Sequence, residues 1–263
     1  MALLEVENLT ITYAGTHAEP AVKQLSFSLN AGETLALVGE SGSGKTTTGY
    51  ALLGLLPAEA SVAADRLQFE GQDLRQLKET QLRAFRGGRI GMIFQDALSA
   101  LNPLMRVGDQ IAEAVRLHNP IGRKAAKARA LSLLQKVRIP MADQRYHSYP
   151  HQLSGGMRQR VVIAMALAGN PALLIADEPT TALDVTIQAQ IIRLLAALQQ
   201  ETGTAMLLIT HDLGVVAELA DRVAVLRDGV CLEQQPAQQL YRQPHHPYTR
   251  QLLAARPLPR GRL

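Results

Sequence analysis

The sequence predicts an α/β fold: a parallel sheet core, an N-terminal antiparallel β subdomain and an inserted α-helical subdomain. Three observations predict it. Short continuous apolar runs at 35–38, 173–176 and 205–209 read as strands buried on both faces, the mark of a parallel sheet. Helical stretches lie between such strands, as parallel crossovers require. Residues 97–152 lose the strand pattern and read as helices set between two strand-rich halves.

In chain order, residues 3–14 alternate apolar and polar and read as a half-buried strand. The alternation returns over 21–30, with Val22, Leu25, Phe27 and Leu29 apolar, and a turn follows at 30–33. The 35–38 strand leads into a glycine-rich loop and then a helix, which is expected to end near Pro57. A short strand at 67–69 precedes the Glu70-Gly71 turn; connections this short make the early strands antiparallel. Residues 90–94 form another apolar strand. After a loop at 97–103, helices are expected at 107–117 and 123–137, the second ended by Pro140. A helix over 155–168 starts after Ser154, and 188–200 is amphipathic. A hairpin turning at Gly229 joins 223–226 to 230–232, and two short helices close the chain. The expected division is one domain: an α/β core from 1–96 and 153–235, the helical insert 97–152, and a C-terminal helical tail 236–263.

Composition narrows the function. Over 263 residues the net charge is +4 and aromatics are 4%, with no Trp, so neither a strong basic patch nor a stacking platform for nucleic acid is expected. The single cysteine, Cys231, permits no intrachain disulfide and no Cys-based metal site, and a reducing compartment is the natural reading. No apolar run is long enough to span a bilayer, and the acidic start Glu5-Val6-Glu7 does not resemble an export signal. A membrane role would therefore come through a partner.

The chemistry is concentrated in a few places. Gly39-Glu40-Ser41-Gly42-Ser43-Gly44-Lys45-Thr46-Thr47 has the spacing of a P-loop and the strand–loop–helix setting that motif requires. Its glycines turn successive N–H groups towards one point, and the following helix adds its positive end. Lys45 can reach β- and γ-phosphates, and the Thr46 hydroxyl suits Mg²⁺. Asp177 and Glu178 follow the 173–176 strand at the edge where α/β sheets bind ligands. Alone, two acids there also fit a surface turn. Beside a P-loop, Asp177 fits a metal ligand and Glu178 a group that orients or deprotonates water. His211 follows the 205–209 strand and can hydrogen-bond a γ-phosphate. Gln95 follows the 90–94 strand and could take a Mg²⁺-bound or attacking water, although spacing alone equally fits a plain loop residue. Ser154, Gly155 and Gly156 open a helix and bare its N–H groups, a second anion cradle unless it is a plain cap with a Gly-Gly hinge. One nucleotide does not need two cradles so far apart in sequence. Two copies facing each other, each cradle closing on the partner's phosphate, would account for both.

The ordered set of the P-loop, Gln95, Leu153-Ser154-Gly155-Gly156-Met157-Arg158-Gln159, Asp177-Glu178, Thr181-Ala182-Leu183-Asp184 and His211 resembles the ATP-binding subunits of ABC transporters over essentially the whole chain. The resemblance implies a RecA-like P-loop NTPase core that binds ATP with Mg²⁺. It makes Glu178, His211, Gln95 and Lys45 the catalytic set and Thr46, Gln95 and Asp177 the metal ligands. Ser154, Gly155 and Gly156 would contact ATP held by the opposite subunit. Asp184 would belong to the loop linking the two sites. Tyr13, a strand residue by spacing, matches the aromatic that stacks on adenine.

Within the family, residues 92–103, the signature with Met157, and the tail His246-Pro247-Tyr248-Thr249-Arg250 look like dipeptide, oligopeptide and nickel importers. Met157 stands where the common signature has Gln, which is typical of one of two unlike subunits and implies a heterodimer. Ala97 replaces a usual Pro. The short tail leans towards the nickel-type branch, and His245-His246 is not read as a nickel site. The implied partners are a second ATPase subunit, two transmembrane permease subunits and an external substrate-binding protein, with no nucleic acid. The chain would sit on the cytoplasmic face of the bacterial inner membrane. The rival is a soluble ABC-type ATPase acting on DNA or ribosomes; those carry coiled-coil inserts, zinc modules or paired ATPase units that are not visible in this sequence.

Overall fold

The computed structural model describes residues 2–15, 19–97 and 99–255. Its first elements are β1 (Leu4–Thr12), β2 (Val22–Leu29), β3 (Thr34–Val38), α1 (Lys45–Leu52), β4 (Ser61–Ala63), β5 (Arg66–Phe69), β6 (Gln72–Asp73), α2 (Glu79–Phe85) and β7 (Ile90–Ile93). Then come α3 (Val107–His118), α4 (Arg123–Lys136), α5 (Ala142–Arg145), α6 (Gly155–Ala166), β8 (Leu173–Asp177) and α7 (Val185–Thr202). The chain closes with β9 (Ala205–Thr210), α8 (Leu213–Leu219), β10 (Arg222–Arg227), β11 (Val230–Pro236), α9 (Ala237–Arg242) and α10 (Pro247–Ala254). Residues 256–263 of the expected tail, and Leu98 of the loop after Gln95, lie outside the described residues. The chain forms two compact units: one combines Met1–Leu82 with Ala205–Leu263, the other is Arg83–Thr204.

In the first unit, β1 pairs antiparallel with β2, as their short connection predicts, and also with β4 and β5 from further along the chain. Its alternation is broken once. Asn8 adopts φ 52°, and the register shifts between Val6 and Leu9. This bulge resets the phase, so that Leu4 and Val6 before it and Leu9 and Ile11 after it are all buried. Strands β11, β10, β3 and β9 follow one another in a second sheet of this unit. Strand β3 runs parallel to both β10 and β9, and all five of its residues are buried. Leu37 pairs with Ile209 and Val38 with Thr210, so the loops after β3 and β9 leave the same edge side by side.

The second unit holds β7 and β8, which pair in parallel with Ile93 opposite Ala176. Its helices form their own core. In α3, Val107, Ile111 and Val115 are buried at helical spacing, and α3 and α4 both pack on α6. Gly108 lets α3 approach the Tyr146 ring, whose hydroxyl donates to Asp109 at 3.1 Å.

Several boundaries differ from expectation for identifiable reasons. Helix α1 stops at Leu52, before Pro57, because Gly54 takes φ 59°; the Gly54 amide reaches the Ala51 carbonyl and the Leu55 amide the Tyr50 carbonyl. That hydrogen-bond pair is a Schellman stop. Helix α7 starts at Val185, earlier than the 188–200 stripe, because Asp184 caps it. Helices α2, α5 and α8 and strands β4 and β6 are too short to carry a periodic signal.

Candidate functional site

The candidate site residues divide between the two units. In the first, β3 delivers the P-loop directly into α1. Gly44 is the N-cap of α1 at φ 93°, a left-handed conformation, and a Cβ there would stand 2.5 Å from the Ala21 carbonyl oxygen. Helix α1 has no side-chain cap and no acidic residue in its first turn. Its N-terminus therefore offers peptide dipoles and N–H groups to an external anion. Lys45 is buried, and its Nζ donates to the carbonyls of Gly39 (2.9 Å) and Glu40 (2.7 Å) and to Ser43 Oγ (3.3 Å). The ammonium group is thus wrapped by the loop it serves. Glu40, Ser41 and Gly42 form the exposed outer turn, Ser43 and Gly44 are buried, and Thr46 and Thr47 are half-buried at the start of α1. This donor set fits a polyphosphate, and the Thr46 hydroxyl is of the type Mg²⁺ accepts.

Tyr13 follows β1, and its hydroxyl meets Thr47 Oγ1 at 3.4 Å, which brings the expected adenine-stacking residue to the loop's helix. His211 is exposed directly after β9. Since Val38 pairs with Thr210, His211 and Gly39 leave adjacent strands at the same level. Asp212 next to it caps α8 by accepting from the Gly214 amide at 2.8 Å, which fixes where His211 leaves the strand.

The second unit gathers Gln95, Asp177 and Glu178 at one edge, since β7 and β8 are parallel and in register. Asp177 ends β8 and is 1% exposed. Glu178 is half-buried and adopts φ 47°, a conformation that costs a non-glycine residue free energy and clusters at functional sites. Thr181 Oγ1 donates to Glu178 Oε2 at 3.1 Å. Gln95 is exposed, one residue beyond Phe94.

Ser154 caps α6, its Oγ accepting from the Met157 amide at 3.4 Å. Gly156 is buried against α7: a Cβ would lie 2.5 Å from Ile187 Cγ2. Asp184 caps α7, Oδ1 accepting from the Ile187 amide at 2.9 Å. The signature turn and the loop before α7 therefore lie side by side, and Asp184 is committed to its cap. One contact near these residues is not visible in the sequence. Gln159, 4% exposed, donates from Nε2 to the Pro179 carbonyl at 2.7 Å and so ties the signature helix to the residue after Glu178. Its spacing of three from Gly156 puts both on one buried face of α6, and that spacing was the available signal.

Among the described residues no cluster of three or more His, Cys, Asp or Glu side chains could hold a metal by itself. Mg²⁺ bound with phosphates needs only one or two protein ligands. No helix of the described residues is long and apolar enough to cross a membrane.

Residues 22–181 match the family model described as ABC transporter. The oligopeptide transport ATP-binding protein OppD of Bacillus subtilis (strain 168) is 52% identical over 257 residues, covering 97% of this chain and 72% of that protein. The dipeptide transport ATP-binding protein DppD of the same organism is 51% identical over 259 residues, covering 97% of this chain and 77% of that protein. Among solved structures, the dimeric post-hydrolysis state of the ATP-binding cassette MJ0796 bound to ADP and Pi has a TM-score of 0.77 at 29% identity, over 89% of this chain and 98% of that one.

Proposed function

The chain belongs to the ABC transporter family, and on that premise we propose that it is the ATP-hydrolysing subunit of an importer for peptides. The observation that carries the proposal is the near-full-length likeness to OppD and DppD, joined to an α1 N-terminus with no side-chain cap and no acidic residue in its first turn. Oligopeptides and dipeptides are the cargo in those relatives' names, which puts peptides ahead of nickel.

In this reading Lys45 and the loop amides bind the β- and γ-phosphates, and Tyr13 stacks on the base. Thr46, Gln95 and Asp177 would hold Mg²⁺, which offsets phosphate charge when bound. Glu178 orients the attacking water and takes its proton, and His211 hydrogen-bonds the γ-phosphate. Ser154, Gly155 and Gly156 serve the ATP of a second, unlike ATPase subunit, and Asp184 belongs to the loop joining the two sites. Two permease subunits and a substrate-binding protein complete the assembly, and they hold this chain at the cytoplasmic face of the membrane.

The phosphate-binding part is tested with the purified chain. Lys45→Ala removes charge-assisted hydrogen bonds and is expected to weaken binding of a fluorescent ATP analogue about 10- to 150-fold, with steady-state hydrolysis lost. Unchanged affinity would remove the loop from that role.

A further inference from the structure

The tail motif His246-Pro247-Tyr248-Thr249 is not used by the roles proposed above, yet it is built into the first unit. Glu233 on β11 is buried, and its Oε1 accepts from the His245 amide at 2.7 Å and from Gln235 Nε2 at 2.8 Å. Its Oε2 accepts from the His246 amide at 3.0 Å. A buried carboxylate with donors on both oxygens fixes this turn firmly. His246 then caps α10, Nδ1 accepting from the Tyr248 amide at 3.1 Å, with Pro247 at the first helical position.

The turn delivers Tyr248 beside the phosphate loop. Tyr248 is 5% exposed, and the Arg227 guanidinium lies 4.8 Å from its ring centre. Arg227 ends β10, and the carbonyl of the preceding Leu226 is the atom that a Cβ on Gly39 would meet, at 2.1 Å. Gly39, the end of β10 and Tyr248 thus form one run of neighbours. The Tyr248 hydroxyl is buried with no hydrogen-bond partner. Burial, and then the neighbouring Glu40 carboxylate, raise the phenol's pKa above its ordinary value. Glu40 is the second residue of the loop. A carboxylate there is repelled by the polyphosphate the loop is shaped to receive, whereas a buried hydroxyl gains by donating to it.

We propose that Tyr248 is a positioning residue for nucleotide binding: held by the turn anchored on Glu233, its hydroxyl, unpartnered in this structure, takes the Glu40 carboxylate as acceptor when nucleotide binds and keeps that charge away from the phosphate. The inference rests on the ATP-binding reading above. It gives the tail a function that acts through the P-loop rather than through cargo.

The test is a titration of the full chain with a fluorescent ATP analogue and Mg²⁺, as wild type, Tyr248→Phe, Glu40→Gln and the double variant, with melting temperatures alongside. Tyr248→Phe is expected to weaken binding about threefold to tenfold and to raise the KM for ATP more than it changes kcat. In the Glu40→Gln background, where no charge remains to be held, Tyr248→Phe is expected to have no further effect on affinity. A purely structural role predicts the same loss in both backgrounds, and that result would overturn the proposal. So would wild-type affinity in Tyr248→Phe. Failure of the unmutated chain to bind ATP would overturn both this inference and the reading it rests on.

Discussion

Glu178 shows how much one residue's setting contributes. It stands one residue past a buried strand, in a left-handed backbone conformation, with Thr181 donating to its carboxylate. A carboxylate held this way can orient a water and take its proton. Glu178→Gln keeps the shape and the hydrogen bond from Thr181 but removes the proposed base. It is expected to leave ATP binding intact, to slow hydrolysis about 10²- to 10⁴-fold, and to accumulate an ATP-bound dimer. Single-turnover hydrolysis and size-exclusion chromatography with ATP read both effects; normal turnover would take Glu178 out of the role. Glu178 was legible in the sequence because two acids follow an apolar run in a chain that also has a P-loop. Its backbone conformation was not legible, since nothing about a glutamate asks for positive φ. Glu233 was equally hidden: a buried acid on a strand that reads as a plain hairpin arm gains its meaning only from the amides of a turn beyond α9.

At the scale of elements, caps and packing decide what periodicity cannot. The apolar runs that predicted β3, β8 and β9 are all buried in the structure, because continuous hydrophobicity is a strong local signal. Helix α8 went unread because seven residues give too little periodicity, and its start depends on the Asp212 cap. The link between α6 and the Glu178 loop depends on Gln159, whose role is visible only once the Pro179 carbonyl is known to lie against it. Gln159→Leu, of similar size, leaves that carbonyl buried without its donor. The expected outcome is a loss of about 1–3 kcal/mol in urea unfolding, together with reduced hydrolysis. If stability falls but turnover per folded molecule stays at the wild-type level, the link is structural only, and α6 does not act on the Glu178 loop.

For the whole molecule, the family resemblance was the most legible feature, and the family match bears it out. The three-dimensional arrangement was less legible. Strand β3 takes β9 and β10 as neighbours from the far end of the chain, which local pattern cannot specify. Cargo is still further from the local signal, since the roles proposed for these residues concern phosphate, metal and water rather than a transported molecule. The central claim is that ATP hydrolysis by this chain drives peptide import. Its most direct test is uptake of a labelled peptide into ATP-loaded proteoliposomes that carry the complex purified through a tag on this chain, with the substrate-binding protein added outside. The account predicts uptake that requires internal ATP and is abolished by Glu178→Gln. Uptake at the wild-type rate with Glu178→Gln, or ATP hydrolysis with no peptide accumulated, would contradict it.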